Sequence, residues 1–278
     1  MKIAITGASG FIGQHVLTKL QEQEVEIIAI TRGGSLPADL SRDVKIIEMD
    51  ISRPEPNCFK KIGSPDVLIH LAWGGLPNYK SLHHFEVELP RQYQFLKNMV
   101  ESGLSSLLVT GTCFEYGMQS GSLSEEIIAN PNNPYGYAKN ALRQQLEFLK
   151  LVAPFNLTWT RLFYMYGQGQ SSASLFTKLK DAAERGDKIF NMSGGEQLRD
   201  YLPVEEVVLN IIRLAMLQKD FGVINICSGK PISIRKLVEK WLYENGWKIE
   251  LNFGHYPYPD YEPMEFWGDP SRINSINV

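Results

Sequence analysis

Short runs of aliphatic and β-branched residues alternate along the chain with stretches whose apolar positions recur every three to four residues. The first pattern predicts strands over Lys2–Thr6, Glu26–Thr31, Val44–Asp50, Val67–Ala72, Ser106–Thr110 and Leu157–Leu162. The second predicts helices over Phe11–Glu22, His84–Ser102 and Tyr135–Leu151. Regular strand–helix alternation implies a parallel, doubly wound sheet with helices on both faces.

After Gly167 the rhythm changes. Ser171–Gly186 and Pro203–Leu217 read as helices, Lys188–Gly195 as a short strand and turn, and Gly222–Ser228 as a strand. Ile234–Asn245 reads as a helix opened by Ser233 as N-cap. The expected fold class is therefore α/β: a doubly wound parallel Rossmann sheet from 1–166 and 203–228, with a small C-terminal α/β substrate lobe from 167–202 and 229–278. The tail Gly254–Pro263, with three prolines and three tyrosines, reads as a rigid surface loop or a lid over a substrate.

Composition narrows the function classes. The 278 residues carry a net charge of −3 with no basic stripe, which argues against a nucleic-acid partner. Apolar runs such as Val25–Ile30 are strand-sized, so no membrane partner is expected, and no signal peptide is read at the N-terminus. The three cysteines have no paired spacing and the five histidines no ligand pattern. A cytoplasmic protein without a metal site is the expectation.

Gly7-Ala8-Ser9-Gly10-Phe11-Ile12-Gly13 joins the first strand to the first helix. Gly7 suits a tight turn, Gly10 a close approach to a pyrophosphate, and Gly13 close packing of helix on strand. The helix N-terminus then offers free N–H groups and a partial positive charge to the phosphates. A dinucleotide cofactor is implied. NAD-selective sites place a carboxylate about twenty residues beyond this loop. Thr31 stands there instead, and Arg32 beside it is suited to a 2′-phosphate. The reading favours NADP, with NAD still possible.

Tyr135 and Lys139 are four apart on a predicted helix and project from one face. A phenol titrates near 10, and a neighbouring ammonium favours its phenolate. The pair is thus an expected acid/base device. Thr112, at the end of the fifth strand, is placed to donate to a carbonyl oxygen as hydride arrives. Cys113 reads as a small buried residue rather than a nucleophile.

With these residues in view the chain resembles an extended short-chain dehydrogenase/reductase of the NAD-dependent epimerase/dehydratase family. The resemblance rests on Thr6–Gly13, His70-Leu71-Ala72, Thr112 with Tyr116-Gly117, Pro134–Lys139, Arg161 with Tyr166–Gln170, and Arg199-Asp200-Tyr201. It implies catalysis by Tyr135, Lys139 and Thr112. It implies cofactor contacts from Gly7, Ser9, Gly10, Phe11, Ile12, Gly13, Thr31, Arg32, Asp50, Ile51, Leu71, Ala72, Trp73 and Thr110, with Tyr135 and Lys139. The implied substrate is a nucleoside-diphosphate sugar, met by Phe114, Tyr164 and Arg199, the last on its diphosphate. A homodimer through the helices His84–Ser102 and Tyr135–Leu151 is implied as well.

The sequence departs from the family in telling places. Tyr164 and Glu88 stand where members often carry asparagine. Family dehydratases carry a glutamate two before the Tyr-Gly, where this chain has Phe114, and Glu115 is expected to face away from an extended segment. Dehydration is disfavoured. The favoured reading is a 4-keto-6-deoxyhexose reductase. A nucleotide-sugar 4-epimerase holding NAD, and a non-catalytic NADP-binding sensor, stay open beside it.

Overall fold

The computed structural model describes residues 1–33, 36–37, 40–41 and 43–276. Seven parallel strands form one sheet: β1 (Lys2–Thr6), β2 (Glu26–Thr31), β3 (Lys45–Glu48), β4 (Val67–His70), β5 (Ser106–Thr112), β6 (Asn156–Leu162) and β7 (Gly222–Ile226). Their spatial order is β7-β6-β5-β4-β1-β2-β3. The order reverses between β1 and β4, and a crevice opens beyond the strand ends at such a reversal.

Strand alternation sorts side chains between the two faces. Ile3 and Ile5 of β1 join the core under helices α1 (Phe11–Leu20) and α6 (Val204–Met216). Ala4, between them, joins the opposite core under α2 (Cys58–Ile62), α3 (Leu89–Glu101) and α4 (Pro134–Lys150). Because both faces are covered, β5 is buried at every position from Ser106 to Thr112. A separate core of Leu179, Met192, Leu237, Val238 and Trp241 joins α5 (Leu175–Glu184) to α7 (Ile234–Asn245). Ser233 caps α7, its side chain accepting from the Lys236 amide.

Several boundaries differ from expectation. The helix expected over His84–Ser102 opens with a π turn at His84–Glu88 before α3. The helix expected from Ser171 begins at Leu175, after the Ser174 cap, and β3 is shorter than Val44–Asp50. Short parallel pairs join segments far apart in sequence: Phe266–Gly268 with Gly121–Leu123, and Tyr201–Pro203 with Tyr164–Tyr166. No helix among the described residues is long and apolar enough to cross a membrane.

Candidate active site

A cleft of about 340 Å³ opens beyond the C-terminal ends of β1, β2 and β4. Its wall brings together Gly7, Ser9, Gly10, Thr31, Arg32, Asp50, Ile51, Leu71, Ala72 and Trp73. Gly7 has φ +70°, and a Cβ there would lie 2.8 Å from the Ala72 nitrogen. A Cβ on Gly13 would overlap the Gly7 carbonyl oxygen, so α1 could not pack so close to the turn. No described side chain caps α1 at Gly10, which leaves first-turn amides for an anion. These features fit the pyrophosphate of a dinucleotide. Phe11, Ile12 and Gly13 stand behind this wall in α1. Thr110, Tyr135 and Lys139 also lie off the wall, on the Trp73 side of the site.

At the end of β2, the Thr31 hydroxyl donates to the Ser9 hydroxyl over 3.3 Å, and Arg32 is exposed. The Ser52 side chain holds the Asp50 carboxyl below its ordinary value, and the Arg32 and Arg53 charges act in the same direction. Glu88 is buried on the cleft wall, accepting from the Gly74 amide at 3.0 Å and from Gln92 at 2.9 Å.

The catalytic helix is aimed by its first turn. Asn133 caps α4 through a 2.9 Å bond from the Gly136 amide, and Pro134 occupies the first turn. A Cβ on Gly136 would come within 2.5 Å of the Phe114 carbonyl oxygen. Only glycine there lets α4 sit so close to the end of β5. Tyr135 is thereby brought beside Thr112, whose side chain opposes the rise of its phenol. Lys139 donates to the Thr110 carbonyl at 2.8 Å, and its ammonium lies 4.1 Å from the Trp73 ring centroid. Trp73 in turn donates to His84 Nδ1 at 3.1 Å.

Burial governs both titratable groups. Tyr135 is 8% exposed and Lys139 2%. Desolvation pushes the phenol well above its ordinary value, and Tyr79, Glu115 and Cys113 add to it against Thr112. Desolvation draws the ammonium down to about 7, against the pull of Glu115 and Glu88. Withdrawal from water thus raises Tyr135, in the direction opposite to the one expected from an ammonium one turn away.

Glu115 corrects the extended-segment reading. Cys113–Tyr116 is a 3₁₀ turn with Thr112 as N-cap, and Glu115 folds back as the partner acid of a capping box. Its carboxylate is fully buried and accepts from Thr112 N at 2.9 Å, Trp159 Nε1 at 2.9 Å and Arg161 Nε at 2.8 Å. It is a structural anchor under the site, where a turn rather than pleat alternation sets its direction. Cys113 is buried, and burial pushes its thiol far up, as a small core residue requires.

A second cavity, of about 740 Å³, includes Tyr164, Arg199, Tyr201 and the tail from Tyr256 to Glu262 in its wall. The Arg199 guanidinium is already engaged, holding Glu262 at 3.1 and 2.8 Å. Phe114 is not on that wall. Its ring lies 6.3 Å from Tyr135, 6.5 Å from Tyr164, 4.8 Å from Tyr79 and 6.2 Å from Tyr261. Sequence reasoning missed Tyr79, Tyr261 and Glu262 as site residues. The proline–tyrosine composition of 254–263 was the one available signal for the last two.

Residues 3–227 match the NAD dependent epimerase/dehydratase family. The dTDP-6-deoxy-L-talose 4-dehydrogenase (NAD(+)) of Aggregatibacter actinomycetemcomitans is 33% identical, over 96% of this chain and 99% of that protein. The GDP-6-deoxy-D-talose 4-dehydrogenase of the same organism is 24% identical, over 99% of this chain and 91% of that protein. The solved structure of MoeE5 in complex with UDP-glucuronic acid and NAD superposes with a TM-score of 0.83 at 25% identity, covering 99% of this chain and 92% of that one. This chain belongs to the NAD dependent epimerase/dehydratase family.

Proposed function

We propose that the protein is a nicotinamide-dependent oxidoreductase that interconverts a nucleoside-diphosphate 4-keto-6-deoxyhexose and its 4-alcohol. The observation that carries this reading is the close packing of the helix bearing Tyr135 and Lys139 on the end of β5 that bears Thr112, with Phe114 in the turn where a dehydrating acid would stand. A dinucleotide held by the Gly7–Gly13 turn and the cleft wall would supply the hydride for carbon 4. Tyr135 gives its phenolic proton to the ketone oxygen, Thr112 steadies that oxygen, and Lys139 faces the phenolate that remains. Phe114 and Tyr164 bound the sugar, and Arg199 takes the diphosphate in exchange for Glu262. The two talose 4-dehydrogenases among its relatives support the reading, since a 4-dehydrogenase run in reverse is a 4-keto reductase.

NADP(H) is the proposed cofactor. Arg32 lines the cleft, and Thr31 stands in place of the ribose-binding acid. The name of the 33%-identical relative supports NAD as the second reading. A homodimer through α3 and α4 belongs to the same proposal, since Tyr137, Phe148 and Leu151 leave apolar surface exposed along α4 and its end.

The test supplies a dTDP-4-keto-6-deoxyhexose with NADPH or NADH and follows absorbance and product mass together. Stoichiometric loss of reductant with a product two hydrogens heavier supports the reductase. An isomer of unchanged mass at constant absorbance would overturn it in favour of a 4-epimerase.

A further inference from the structure

Tyr79 lies in the loop that follows β4, and its carbonyl oxygen accepts the Tyr135 amide at 3.2 Å. The loop is therefore fastened to the first turn of the catalytic helix. The Tyr79 ring sits 5.6 Å from that of Tyr135, 4.8 Å from Phe114 and 6.2 Å from Tyr261. Phe114 and Tyr261 are 6.2 Å apart. Rings from three remote stretches of chain thus converge beside the catalytic phenol. Tyr261 is pinned there by neighbours on the same tail. Asp260 pairs with Lys80 at 2.9 Å, Glu262 pairs with Arg199, and the Tyr261 carbonyl accepts from Asn132 at 3.3 Å.

The chemistry of the sugar decides what such a surface receives. With the oxygen on carbon 4 held by Tyr135 and Thr112, one flank of carbon 4 is the hydroxyl-bearing carbon 3. The other flank leads through carbon 5 to carbon 6. An aromatic wall is a poor partner for the first and a good one for a methyl group on the second.

We propose that Tyr79, with Phe114 and Tyr261, forms the wall that receives carbon 6 and selects methyl over hydroxymethyl there. The proposal rests on the 4-keto-6-deoxyhexose reading and adds the residues that enforce it. A 6-hydroxyl brought against this wall loses water without a partner on Phe114. The expected discrimination is roughly 5- to 150-fold, from about 1–3 kcal/mol for an unpaired buried hydroxyl at 1.4 kcal/mol per tenfold.

Titration calorimetry, with the cofactor present, compares dTDP-6-deoxy-L-talose with dTDP-L-talose, which differ only in the oxygen on carbon 6. The rate of oxidation of each is followed in parallel. The wild type binds the 6-deoxy sugar more tightly, Tyr79→Phe keeps the ratio, and Tyr79→Ala and Phe114→Ser bring it within about threefold. A merely structural role would weaken both sugars alike and leave the ratio untouched, and that result overturns the proposal. Equal affinity of the wild type for the two sugars also overturns it, whatever their turnover. Selective binding of the 6-deoxy sugar without its oxidation upholds the wall and removes the 4-keto reductase reading instead. Phe114→Ser supplies the same comparison should Tyr79→Ala fail to fold.

Discussion

Replacing Lys139 with methionine separates the cost of burying a charge from the use made of it. The ammonium is 2% exposed and meets the Thr110 carbonyl and the faces of Trp73 and Tyr135. Burial brings it down to about 7, while a lysine in the unfolded chain titrates near 10.4. Below pH 7 both states hold the proton, and the folded protein bears the full penalty. Between pH 7 and about 10 the unfolded chain holds a proton that the folded protein has released, so stability rises with pH at up to about 1.36 kcal/mol per pH unit. Integrated from pH 7 to pH 9, with the folded group half-titrated at the start, the gain is about 2 kcal/mol. Methionine fills the same space and titrates nowhere in that range. It leaves the Thr110 oxygen short of a donor, a loss of about 1–3 kcal/mol against a larger desolvation relieved. Lys139→Met should therefore be the more stable protein at pH 7, and its margin should shrink by about 2 kcal/mol at pH 9. Tyr135 does not disturb the comparison, since burial raises it and its effect begins only above pH 10. Urea unfolding of cofactor-free wild type and variant at pH 7, 8 and 9 reads the difference directly. A margin constant to within about 0.5 kcal/mol would show that the ammonium is not desolvated in the folded protein.

Other expectations follow from the same geometry. Tyr135→Phe should lower turnover by at least about a hundredfold, as loss of an acid/base group does, with cofactor affinity near normal by fluorescence titration; activity within tenfold would remove the phenol from the chemistry. Arg32→Ala should move the NADPH-to-NADH affinity ratio by about 1–3 kcal/mol, the size of a charged hydrogen bond; an unchanged ratio would leave Arg32 a solvated charge and favour NAD. Arg199→Ala should raise KM for the nucleotide sugar far more than it weakens dinucleotide binding, while Glu262→Gln, by freeing the guanidinium, should lower KM; a rise in both variants would mean that the ion pair builds the cavity rather than competing with substrate. Glu115→Gln breaks a buried pair with Arg161, about 3–5 kcal/mol, and should lower the melting temperature by roughly 6–20 °C in a thermal scan.

Much of the cofactor half was legible in the sequence because its determinants are local. The turn at Gly7 and the packing at Gly13 each depend on residues a few positions away, and the bounds of β1 and β2 are those the apolar runs predict; the cap at Ser233, in the C-terminal lobe, is local in the same way. The Tyr135–Lys139 pair was legible for the same reason, since one helical turn joins the two. Its protonation was not, because neighbour spacing says nothing of how deeply α4 buries both groups. Glu115 was misdirected because pleat alternation was extended three residues past the end of β5, where a capping box takes over. The sugar side was least legible. Tyr79 reaches Tyr261, and Arg199 reaches Glu262, only after the chain has folded across more than sixty positions, as in the 63-residue separation of the second pair. No periodicity encodes such a meeting.

The tail that carries Asp260, Tyr261 and Glu262 is made after every strand of the central sheet, and Phe266–Gly268 fastens it to Gly121–Leu123. All seven strands of the sheet thus precede in the chain the tail that walls the second cavity. A chain cut after the last central strand would lose that wall of the second cavity while keeping every residue that lines the first.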